Sequence, residues 1–297
     1  MIDYAQLLLL GAIAGLTIFL GLPMALLRNV SRMKKGFLNA LAMGILVFLI
    51  TDVLSAAWGR TKFVATNGYM GKGPVLDAAV DLLAMFGGLG LGLLGLALYE
   101  QRYLRRIIST KKRLSTSEDN NNEGGKSNPA IPRDKIQQHG VELFGNPQHL
   151  ATMIAVGIGL HNFSEGLAIG QSYATPGAIG LAVVLIVGFG AHNATEGFGI
   201  AGPLTGISEK PRISFLAKMG IIGGSPTFIG TLVGSVWVSQ LTYIMFLSLA
   251  GGALIYVTLL MYNTARRESR NDLLMVGLFI GILGGFLTDL IVTLGGA

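Results

Sequence analysis

Eight apolar runs, at roughly 5–27, 36–58, 78–100, 149–170, 177–200, 213–238, 242–262 and 272–296, constrain every fold open to this 297-residue chain. A helix needs about 20 apolar residues to cross the hydrocarbon core of a bilayer, and each run is long enough. No barrel-type alternation of apolar and polar residues accompanies them. The spans are therefore read as helices, whose backbone groups are satisfied internally in lipid. Composition agrees: 13% of residues are charged, against about 25% in a soluble domain. The 43 glycines suit membrane helices, where small residues let backbones approach closely. The expected fold class is all-α integral membrane, with eight transmembrane helices. The first run lacks a basic leader and a small-residue cleavage site, so it reads as a span and not as a cleaved signal.

Charge placement orients the spans. Of the 22 Lys and Arg, 19 fall on or beside the loops after helices 1, 3, 5 and 7, and only Arg60, Lys62 and Lys72 fall on the others. By the positive-inside rule the odd-numbered loops are cytoplasmic and both termini extracytoplasmic, in a cell membrane. The net charge of +6 is explained by this bias, and nucleic acid is not an expected partner. Residues 1–100 carry helices 1–3, and 149–297 carry helices 4–8. Between them, 101–148 reads as a cytoplasmic loop, largely disordered, because TKKRLSTSEDNNNEGGKSNP at 110–129 has too little apolar surface to bury. HGVELFG at 139–145 reads as a short lead-in to helix 4, and His139 as a solvated loop histidine. The chain has no cysteine, which removes disulfides and thiolate metal ligands.

Ionisable residues at bilayer depth are costly and usually face a bundle interior or a pathway. Here they are few and patterned. Helix 4 contains HNFSEGLAIG at 161–170, and helix 5 contains HNATEGFGIA at 192–201. Residues i and i+4 share a helix face, so His161 lies over Glu165 and His192 over Glu196. Asn162 and Asn193 lie on the flank of those faces. Packed side by side, the two helices would converge two imidazoles, two carboxylates and two amide oxygens. Imidazole with carboxylate suits zinc and other first-row dications. One His–Glu pair could be a structural hydrogen bond between helices. Two matching blocks on consecutive helices are not accounted for that way. Each glutamate precedes a glycine, Gly166 or Gly197, which admits a neighbouring backbone. Asp52 in helix 2 and Asp289 in helix 8 are candidate pathway residues, and each could instead pair with a hydroxyl or backbone group. Asp81 is read as a cap at the start of helix 3. Gly88 and Gly92, and Gly277, Gly281 and Gly285, have the small-xxx-small spacing of close-packed helices, whether as fixed seams or as sliding surfaces.

The blocks HNFSEG and HNATEGFGIAGPL resemble the paired signature of the ZIP (Zrt/Irt-like) divalent metal transporters, prokaryotic type. The eight spans, the outward termini, the long loop after helix 3 and TIFLGLP at 17–23 resemble that family as well. The resemblance implies a 3+2+3 bundle with inverted pseudosymmetric halves around helices 4 and 5, and alternating access. It implies a binuclear centre with His161, Glu165 and Glu196 at a primary site and Asn162 and Asn193 at a second, the glutamates bridging. His192 would be a metal-approach ligand. Zinc would be the first cargo, with iron, manganese or cadmium as others, moved into the cytosol. The metal is cargo and no cofactor is implied; the partners are the ion and the lipid bilayer, with a homodimer open.

Three features depart from the family pattern. Ser164 and Thr195 stand where proline usually precedes the acid, and their hydroxyls can bond the i−4 carbonyl and bend the helix slightly. Asn193 stands where an acid is frequent. Helix 6 offers Ser225 and Thr227 beside Pro226, and no carboxylate, for the second site; Pro226 is expected to break that helix. One reading of another class uses the same cluster as a catalytic zinc in an intramembrane hydrolase. That chemistry needs an open ligand position and a general base, and the chain carries no HExxH block.

Overall fold

A computed structural model describes residues 4–27, 30–119, 146–172, 193–207, 209–237, 239–268 and 270–294. Among them there is helix and no strand. The helices are α1 (Tyr4–Leu16), α2 (Arg32–Tyr69), α3 (Val75–Asp119), α4 (Pro147–Ser172), α5 (193–201), α6 (Ile213–Val236), α7 (Gln240–Glu268) and α8 (Asn271–Leu294). Six segments are long and apolar enough to cross a membrane: Tyr4–Leu26, Met33–Tyr69, Val75–Arg102, Ile213–Val236, Gln240–Asn263 and Asn271–Ile291. The other two expected spans fall short for different reasons. In α4 the run is diluted by His161, Asn162, Ser164 and Glu165, the residues that make it interesting. Of the fifth run, 177–192 lies outside the described residues.

Local sequence sets the helix ends. Ser31 caps α2, its hydroxyl accepting from the Lys34 N–H at 3.4 Å. The short link between α2 and α3 turns on Gly71, whose φ of 68° is the left-handed conformation glycine adopts freely. α4 opens with proline at its first position, and the preceding Asn146 accepts from the Gln148 and His149 amides at 3.0 and 3.4 Å.

Four expectations need correction. α2 runs on from 58 to Tyr69, so Arg60 and Lys62 lie on a helix and not in a loop. α3 continues to Asp119 through a stretch read as loop; QRYLRRIISTKKRLSTSED is rich in long-chain helix formers and free of glycine and proline. At 45 residues it is roughly 67 Å long. Residues 120–145, with His139, lie outside the described residues. α1 stops at Leu16 and proceeds as two 3₁₀ segments, Thr17–Leu20 and Leu22–Leu26. There Thr17 donates its hydroxyl to the Ala14 carbonyl at 2.5 Å, and Pro23 has no N–H to give. Finally, α6 is continuous through Pro226. Pro226 frees the Ile222 carbonyl, and neighbouring helices can accommodate such a break; α4 comes close enough there that a Cβ at Gly159 would strike that oxygen.

Glycine seams hold the bundle. A Cβ at Gly88 or Gly92 of α3 would strike the Met245 or Leu249 carbonyl of α7, and one at Gly281 of α8 the Leu41 carbonyl of α2. α4 lies along α6 and against α7, and α1 lies along α6. The core runs between these seams, with Leu46 and Leu49 of α2, Ile154 and Ile158 of α4, Ile200 of α5 and Leu254 of α7 fully buried. Asp81 is not the cap of α3, which begins six residues earlier; its Oδ2 accepts from Gln240 Nε2 at 3.0 Å and ties α3 to the start of α7.

Candidate metal centre

The cluster is built where α4 and α5 meet. His161 Nε2 lies 3.3 Å from Glu165 Oε1 on its own helix and 3.5 Å from Glu196 Oε1 on α5. The His161 and Glu196 side chains are 2% and 0% exposed, and Glu165 is 10% exposed. One imidazole thus sits between two carboxylates with almost no water. The i, i+4 spacing brings Glu165 under His161, and the Glu196 contact brings the second block to the first. The three side chains form one contact network, which is an ion pair when His161 is protonated. Among the described residues, no three His, Cys, Asp or Glu side chains are gathered as a ready-made metal cage.

Uncharged oxygens surround the network. Asn162 donates Nδ2 to the Gly223 carbonyl of α6 at 2.9 Å, and its side chain also faces Glu196. Asn193 donates Nδ2 to the Ala14 carbonyl of α1 at 2.7 Å. In both, the amide nitrogen is committed and Oδ1 is buried with no hydrogen-bond donor on it. Thr227 of α6 is fully buried and its Oγ1 has no hydrogen-bond partner among the described residues. A buried acceptor left without a donor costs about 1–3 kcal/mol, and a cation is the natural occupant of such a position.

The helices come close because of the glycines that follow the acids. A Cβ at Gly166 would strike the Thr227 carbonyl, and one at Gly197 the Ile18 carbonyl. Ser164 donates to the Leu160 carbonyl at 3.2 Å, the i−4 back-bond expected where proline is absent.

The remaining sequence candidates divide. Asp52, half-buried on α2, lies within electrostatic reach of His161, Glu196 and Tyr243. Ser225 does not join the centre: it is exposed and its hydroxyl is bound to its own helix. Asp289 lies on α8, which packs mainly along α2, and nothing ties it to the cluster. His192 lies outside the described residues. Two residues went unremarked in the sequence. Tyr243 of α7 sits under the Arg60 guanidinium, 4.7 Å from it, and within reach of Asp52 and Glu165. Thr17 shares the Ala14 carbonyl with Asn193. Neither carries a sequence signal, since a lone tyrosine or threonine in an apolar run is unexceptional.

The family model of the ZIP zinc transporters matches residues 100–293, about two thirds of the chain, including both blocks. The chain belongs to the ZIP family. Among curated proteins no match is found. As a ZIP protein it is a multi-pass membrane protein that handles divalent metal ions, and members of the family are transporters and not enzymes. The hydrolase reading of the cluster is not favoured.

Proposed function

We propose that this ZIP protein carries a divalent transition metal, zinc first, into the cytosol by alternating access through the His161–Glu165–Glu196 cluster. One observation carries the reading: a fully buried histidine lies within 3.5 Å of carboxylates from two different helices. In hydrocarbon such an arrangement is costly unless something of opposite charge visits it. Two carboxylates match a dication, and imidazole supplies the nitrogen that zinc favours. Asn162 Oδ1, Asn193 Oδ1 and Thr227 Oγ1 would add neutral oxygen, making a second, weaker position bridged by the glutamates. His192, outside the described residues, would be an approach ligand, as the sequence resemblance implies. Asp52, Tyr243 and Arg60 would line the outer approach.

Release follows from the same chemistry. Ligands must be deprotonated to hold the ion, so proton return to histidine or glutamate weakens the site. The long seams of α3 with α7 and of α2 with α8 suit one helix group moving against another. The eight spans, the 3+2+3 arrangement, the cytoplasmic odd loops and residence in a cell membrane complete the reading.

Reconstituted proteoliposomes test it. Uptake of Zn²⁺, Fe²⁺, Mn²⁺ and Cd²⁺ is measured for wild type and for the Glu165→Ala, Glu196→Ala double variant. Saturable Zn²⁺ uptake lost in the double variant supports the proposal. No flux in wild type, or full flux in the double variant, removes it.

A further inference from the structure

The two asparagines of the repeated block make the same bond in two places, each to a backbone carbonyl of a neighbouring helix. Asn162 Nδ2 donates to Gly223 O, three residues before the proline inside α6. Asn193 Nδ2 donates to Ala14 O, three residues before α1 turns into 3₁₀ at Thr17. A regular helix keeps its carbonyls for its own i+4 amides. The carbonyl that Pro226 frees is Ile222 O, one residue before the Gly223 acceptor, and the ladder also shifts where α1 passes into 3₁₀, so each acceptor adjoins a disturbed turn. Backbones also touch at both places. A Cβ at Gly159 would strike the Ile222 carbonyl beside Pro226, and a Cβ at Gly21 the Ala194 carbonyl beside Asn193.

Resting on the metal-site reading above, we infer that Asn162 and Asn193 are positioning residues: each clamps an irregular segment, of α6 or α1, onto a metal-binding helix by its amide nitrogen. The same hydrogen bond fixes the amide plane and leaves Oδ1 buried with no donor on it among the described residues. A cation drawing on Oδ1 polarises the amide and strengthens its N–H donor, since linked polar groups reinforce one another. Ion occupancy is thereby coupled to the docking of α1 and α6, the two helices that lie along one another beside the cluster. Aspartate cannot replace asparagine in this role. It would bind a dication at least as well, but it would set a carboxylate oxygen against the Ala14 or Gly223 carbonyl.

Hydrogen–deuterium exchange on the full chain in lipid nanodiscs, without metal and with Zn²⁺, tests the clamp independently of transport. In wild type, Zn²⁺ slows exchange over both 14–21 and 222–228. In metal-free Asn193→Asp, exchange over 14–21 rises about tenfold, as for loss of one buried hydrogen bond, while 222–228 is unchanged; Asn162→Asp gives the converse. Asn193→Asp also keeps or tightens zinc affinity but lowers maximal uptake about tenfold, a split that a plain ligand would not show, and Asn193→Gln, which keeps the amide, restores part of that rate. If Asn193→Asp does not fold, Asn193→Ala removes the donor without adding a charge and must raise exchange over 14–21 alone. Wild-type exchange over 14–21 in Asn193→Asp or Asn193→Ala overturns the clamp, as does tighter zinc binding with undiminished uptake. Absence of zinc uptake in wild type would strike the transport reading and leave the metal-free exchange result standing.

Discussion

His161 is the residue on which the centre turns. It separates two carboxylates that would otherwise face each other in a medium that barely screens them. Removing one partner of a buried ion pair typically costs 3–5 kcal/mol, because the other charge is left uncompensated. His161→Ala is therefore expected to destabilise the metal-free protein by about that amount, and adding Glu196→Gln restores part of it. Denaturant titration in detergent micelles gives both numbers; a neutral His161→Ala would mean that the carboxylates have other counter-charges. Among the hydroxyls of α6 the expected contrast is between neighbours. Thr227→Val weakens zinc binding about tenfold, the low end of what supporting groups contribute, whereas Ser225→Ala leaves titration calorimetry unchanged because Ser225 points away. Much of this scale was legible in the sequence. The repeated His-Asn-x-x-Glu-Gly block named the residues, and i, i+4 spacing gave the shared face. What the sequence could not give was direction across helices: that Thr227 faces in and Ser225 out is a matter of how α6 is rotated against α4.

At the scale of the element, apolar runs located the helix cores well and their ends poorly. Lipid fixes only the length that must be apolar, and nothing in that rule stops a helix at the membrane surface. α2 and α3 run past it because their extensions contain no proline to stop them. Breaks depended on neighbours. Pro226 was read as an interruption and is accommodated, while the change of α1 to 3₁₀ at Thr17 had no proline to announce it. The glycine pattern was the more dependable guide to seams. Gly166→Ala should overpack the α4–α6 contact and lower stability by about 1–3 kcal/mol, since its Cβ would meet the Thr227 carbonyl. Gly87→Ala, with nothing within 4 Å of the added carbon, should be neutral or mildly stabilising. Thermal melts of the two variants in one detergent separate a packing seam from a general preference for glycine.

On the scale of the whole molecule, the centre joins parts of the chain that lie far apart in sequence. α1 and α6 meet it through backbone carbonyls, α2 through Asp52, and α4 and α5 through charged side chains. On the proposed reading, a movement of one helix group against another would pass through these side chains. Absence of native cysteine makes topology directly readable: single cysteines at Lys35, Lys210 and Arg270 should react with a membrane-impermeant maleimide only after the inner face is opened, and one at Lys72 in intact cells. The central claim is narrower than topology. X-ray absorption at the zinc edge of the zinc-loaded protein reports the coordination shell itself. The account predicts nitrogen and oxygen at about 2.0–2.2 Å with imidazole outer-shell scattering, and loss of that signal in the Glu165→Ala, Glu196→Ala variant. A shell of oxygen alone, or one unchanged by the double substitution, would contradict it.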